Sequence, residues 1–118
     1  MSIGLALLVS ADPVTIRQFS HALQELSISP DVCREVPASL RLLNCRKFDA
    51  VIVDLQLGEQ CGLILDEVHL SPSNRTAVTF AISGSDAEDT AIRKRSEFVF
   101  ARPLSTESIR NNSSRLMG

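Results

Sequence analysis

The residues able to do chemistry in this 118-residue chain gather at the ends of apolar runs. Asp54 closes the run that begins at Ala50 and is followed by the glycine-bearing loop Leu57-Gly58-Glu59-Gln60. A lone carboxylate so placed can act as a nucleophile or as a ligand for a hard cation. Three other apolar runs end in Ser10-Ala11-Asp12, Ser83-Gly84 and Arg102-Pro103. These ends hold the candidate companions of Asp54, each with an ordinary alternative as turn residue, helix cap or surface cation.

The elements that must position them follow from patterning. Residues 4–9 are an apolar strand; Asp12 can cap the following helix and Pro13 can occupy its first turn. Ile16, Phe19, Leu23 and Leu26 recur at helical spacing and mark its inner face. That helix is expected to end near Ser29-Pro30, with a short strand around residues 31–35. Pro37 opens a second helix with Leu40, Leu43 and Cys45 facing inward. Residues 48–53 are apolar but for Asp49, as suits a central parallel strand covered on both faces. Residues 63–70 read as a helix broken by Ser71-Pro72-Ser73-Asn74, and residues 77–82 as the next strand. Residues 86–95 suit a helix with acids first and Arg93, Lys94 and Arg95 last. Residues 98–101 give a fifth strand, and Ser105 caps a final, weakly written helix running through Ile109. Five strands alternating with helices make a single-domain, doubly wound α/β fold, whose ligand site belongs at the carboxyl ends of the strands.

Composition narrows the function. A 44% hydrophobic, 22% charged chain of net charge -2, with no Tyr or Trp, offers neither the basic footprint nor the stacking platform of a nucleic-acid binder. The early apolar run, residues 3–9, is too short to span a membrane and lacks the flanks of a secretory signal. A cytoplasmic protein is expected. Cys33, Cys45 and Cys61 are odd in number and too far apart for zinc pairs, so they read as buried free thiols. His21 and His69 sit within helices without an orienting acid. Phosphate-cradling glycine loops and Cys/His metal spacings are absent from the sequence. The chain is read as a non-enzyme.

The order and spacing of Ser10-Ala11-Asp12, Asp54, Ser83-Gly84 and Arg102-Pro103 resemble the receiver domain of two-component response regulators, over residues 5–109. The resemblance implies a flavodoxin-like sheet of order 2-1-3-4-5 and makes Asp54, within Asp54-Leu55-Gln56-Leu57-Gly58 and ahead of Gly62, the matched acceptor of a phosphoryl group from a histidine kinase. Ser83 matches the hydroxyl that contacts the phosphoryl group, and Arg102-Pro103 falls where the family has Lys-Pro.

The departures set the expectation. Ser10 and Ala11 stand where the family has two consecutive acids that help hold magnesium, an ion that demands octahedral oxygen ligation. Asp12 lies one position beyond that pair and competes as a helix cap; Asp54 and the Gln56 carbonyl complete the candidate metal ligands. Magnesium binding is expected to be weak or absent, with no other cofactor. Arg102 in place of lysine can clamp a carboxylate bidentately, so a direct pair with Asp54 is expected. Val99, flanked by Phe98 and Phe100, replaces the family's aromatic switch residue.

The favoured reading is a degenerate receiver acting as a signalling and protein-interaction module, with Asp54 a remnant. A working phosphoacceptor is the alternative, and a flavodoxin-like redox carrier a remote one. A histidine kinase or an output domain is the expected partner, with homodimerisation through the fourth helix, fifth strand and fifth helix. The polar ending suggests an output domain beyond Gly118.

Overall fold

The computed structural model describes residues 4–58, 60–82, 96 and 98–100. Strands β1 (Gly4–Val9), β2 (Ile28–Cys33), β3 (Ala50–Asp54), β4 (Val78–Ile82) and β5 (Phe98–Phe100) form one parallel sheet of order β2-β1-β3-β4-β5. Helices α1 (Pro13–Glu25), α2 (Val36–Cys45) and α3 (Cys61–Leu70) connect them, with a short 3-10 turn at Leu55–Leu57. The five-stranded doubly wound sheet is the one the patterning suggested, and its order is the one the receiver resemblance implied. The helices expected over residues 86–95 and after Ser105 lie outside the described residues.

Alternation along the strands divides the interior into two layers. Ala6 and Leu8 of β1, Ala50 and Ile52 of β3, Phe80 and Ile82 of β4 and Phe100 of β5 pack against Phe19, Ala22 and Leu23 of α1. Leu7, Val9, Val51, Val53 and Ala81 point the other way, onto Val36 and Leu43 of α2 and Ile64, Leu65 and Val68 of α3. Because β1 and β3 are central and covered on both faces, both kinds of position must be apolar, which explains their unbroken hydrophobic runs. Burying each large side chain contributes about 1.5–3 kcal/mol relative to exposure.

The bounds of α1 and β2 differ from expectation, as does the facing of Cys45. Helix α1 stops at Glu25 rather than near Pro30, because Ser27 adopts a left-handed conformation (φ 62) that turns the chain into β2. Strand β2 then starts at Ile28 and carries Pro30 within it. An edge strand tolerates proline, since alternate amides face away from its single neighbour and need no ladder partner. In α2, Leu43 is buried, Leu40 is half-buried, and Cys45 is exposed rather than inward. Cys33 and Cys61 are buried and form no disulfide.

At the entry end of the sheet, Asn74 replaces what looked like a mere helix breaker. Fully buried, it accepts from the Phe48 N–H (2.7 Å) and donates to the carbonyls of Leu43 (2.8 Å) and Arg46 (3.0 Å). It thereby satisfies carbonyls left over at the end of α2 and joins that helix to the approach to β3 and β4. Nearby, the Leu5 N–H donates to Asp49 Oδ2 (2.9 Å), and a Cβ at Gly4 would stand 3.1 Å from that oxygen, so glycine leaves room for the pair.

Candidate functional site

The site is built by strand register. Strands β1 and β3 pair Ala6 with Ala50, Leu7 with Val51, Leu8 with Ile52 and Val9 with Val53. Continuing that pairing by one step sets Ser10 opposite Asp54 on the same side of the sheet. The contact is made: the Ser10 hydroxyl donates to Asp54 Oδ2 at 2.7 Å. Both residues are buried, Asp54 being 1% exposed and Ser10 0%.

Each partner is held in turn. The Asp12 N–H donates to Ser10 Oγ (3.2 Å), so the Ser10 oxygen accepts from one side while its hydrogen is committed to Asp54. Asp54 Oδ1 accepts from the Gln56 N–H (3.1 Å), capping the 3-10 turn, and the Asp54 carbonyl accepts from the Cys61 thiol (3.4 Å) at the start of α3. Gly58 follows at φ 105, a conformation that favours glycine and lets the chain turn from the 3-10 segment toward α3.

Asp12 caps α1, as its place before Pro13 predicts. Its Oδ1 accepts from the Val14 N–H (3.3 Å) and its Oδ2 from the Thr15 hydroxyl (2.7 Å). Ala11 is exposed and brings no polar side chain; Gln56 also points its side chain to solvent. Ser83, Arg102 and Pro103, and with them the expected Arg102–Asp54 pair, lie outside the described residues. Val99 is exposed, whereas Phe98 and Phe100 stack on Phe80 with centroids 5.2 and 5.5 Å apart. The aromatic residues of β5 thus belong to the α1 layer of the core.

Among the described residues, the carboxylates that would hold a magnesium ion are engaged by protein donors. An octahedral site of this kind is usually built on one or two carboxylates and keeps several waters. Here Asp54 carries the Ser10 hydrogen bond, and Asp12 directs its oxygens into the first turn of α1. Among the described residues, no three or more His, Cys, Asp or Glu side chains gather as metal ligands. None of the helices described is long and apolar enough to cross a membrane.

Sequence reasoning placed Asp54 and Asp12 but treated Ser10 only as a lost acid. What shows its role is strand register: Val9 pairs with Val53, which brings the next residues, Ser10 and Asp54, face to face.

No protein-family model matches the sequence. Over 109 residues, 91% of the chain, it is 28% identical to the alginate biosynthesis transcriptional regulatory protein AlgB of Pseudomonas aeruginosa, and it spans 24% of that protein's length. The receiver domain of a sensor histidine kinase from Pseudomonas aeruginosa, crystallised with magnesium coordinated in its active-site cleft, superposes with a TM-score of 0.82 at 18% identity, covering 98% of each chain. A CheY-like receiver domain from Methylobacillus flagellatus gives 0.77 at 20% identity, covering 98% of this chain and 99% of its own. An orphan response regulator of H. pylori gives 0.80 at 14% identity, covering 99% of this chain and 98% of its own. Strand order, the placement of Asp54 at the end of β3 and these likenesses agree: the chain has the receiver-domain fold of two-component response regulators.

Proposed function

We propose that the chain is a degenerate receiver, a protein-interaction module of a two-component pathway in which Asp54 is held in place rather than phosphorylated. The observation that carries this reading is the buried Ser10 hydroxyl on Asp54 Oδ2 at 2.7 Å. A phosphoryl group moving onto a carboxylate needs an exposed oxygen and positive charge to neutralise the transferring group. Asp54 is buried, one of its oxygens carries a neutral donor, and the acids that would recruit a cation are replaced by Ser10 and Ala11.

Function then rests on protein contacts, with a histidine kinase or an output domain as the partner class and the segment that includes Arg93, Lys94 and Arg95, together with β5, as the surface to test for pairing or dimerisation. The deciding experiment is intact-mass measurement of freshly treated protein after incubation with acetyl phosphate and magnesium, beside the Asp54→Asn variant. The expected result is no phosphoryl adduct on either; an adduct on the parent that disappears in Asp54→Asn would make the chain a working phosphoacceptor.

A further inference from the structure

The hydrogen bonds around Asp54 form a continuous series across the carboxyl end of the sheet. It runs from the Thr15 hydroxyl and Val14 N–H to the Asp12 carboxylate, from the Asp12 N–H to Ser10 Oγ, and from the Ser10 hydroxyl to Asp54 Oδ2. Asp54 carries it on to the Gln56 N–H through Oδ1 and to the Cys61 thiol through its carbonyl. The first turn of α1, the end of β1, the end of β3, the 3-10 turn and the start of α3 are thereby tied together. Ser10 is the one member of the series that accepts from the α1 side and donates to the β3 side through a single atom.

We propose that Ser10 is the positioning residue of this site: its hydroxyl takes the place of a bound cation in orienting the Asp54 carboxylate and couples the first turn of α1 to the loop after β3. The inference deepens the reading of Asp54 as a held group and rests on it for its functional meaning, though the geometry stands by itself. A hydroxyl is suited to the role because it has one hydrogen to give and lone pairs to receive, whereas an aspartate there would face Asp54 as a second negative charge and require a counter-ion. Alanine would cut the series in the middle and take one donor away from a buried carboxylate oxygen. Cysteine, close in shape but a weak donor, would loosen it.

The test is amide hydrogen exchange by NMR on the whole chain, comparing the parent with Ser10→Ala and Ser10→Cys. The amides of Asp12 and Gln56 are the reporters, and those of Leu8 and Ile52 in the sheet monitor global opening. In the parent, Asp12 and Gln56 are expected to exchange slowly. In Ser10→Ala both should accelerate by about tenfold or more beyond any change at Leu8 and Ile52, the scale of a lost hydrogen bond to a charged group. Ser10→Cys should fall between, and carries the test if the alanine variant does not fold. Acceleration confined to Asp12, an equal change at all four amides, or fast exchange of Gln56 in the parent would each overturn the proposal. A phosphoryl adduct on Asp54 in a parent whose Asp12 and Gln56 amides are protected would overturn the proposed function and leave this coupling intact.

Discussion

The two ends of the sheet each carry a buried polar knot, and the two are made differently. At the entry end, Asn74 meets neutral backbone groups with a neutral amide: an N–H that needs an acceptor and carbonyls that α2 leaves over. At the exit end, a carboxylate is buried among donors, although a neutral side chain could join β1 to β3 with less desolvation. The Asn74 knot is accounted for by packing alone, since it satisfies groups the fold creates. The Asp54 knot is not, and it lies at the end of a parallel sheet where ligands bind, which is where the proposed function puts its site.

If that contrast is right, the largest effect belongs to the structural knot. Asn74→Ala orphans the Phe48 amide and the carbonyls of Leu43 and Arg46 at once, and should cost about 3 kcal/mol or more, since each buried unsatisfied group costs about 1–3 kcal/mol. Urea unfolding would show a strongly lowered midpoint, or no folded state. A loss below 1 kcal/mol would show that water replaces the side chain and that the knot is dispensable.

Ser10→Ala should have a smaller effect, because Asp54 Oδ1 keeps its bond from the Gln56 amide and only Oδ2 loses the Ser10 donor. A destabilisation of about 1–3 kcal/mol is expected by the same unfolding measurement. A gain in stability would mean that the hydroxyl is held against its preference and that the Asp54 knot is a strained pairing.

How far the sequence showed all this depends on the kind of information each feature uses. The strand expected over residues 48–53, observed as Ala50–Asp54, and the α1 start at Asp12-Pro13 were legible because burial and capping are local demands. The α1 end and β2 were misplaced because Pro30 looks like a terminator until one knows that β2 lies at the sheet edge. That is a fact of topology, absent from any local window. Cys45 was assigned inward by helical spacing, yet it is exposed while Leu43, in the same turn of α2, is buried. Asn74 hid within a run of turn residues, because its partners Leu43 and Phe48 are far away in sequence. Ser10 was noticed for the charge it lacks, and only the pairing of β1 with β3 revealed what its hydroxyl does.

The smallest expected effect is the most telling. Titrating the folded parent with magnesium into the millimolar range, while following the amide resonances of Ser10, Asp12, Asp54 and Gln56, tests whether a hydroxyl or a cation organises the exit-end knot. The account predicts no saturable shift at these four residues; saturable, co-varying shifts centred on Asp54 would show that the carboxylate leaves Ser10 for the ion, and would contradict it.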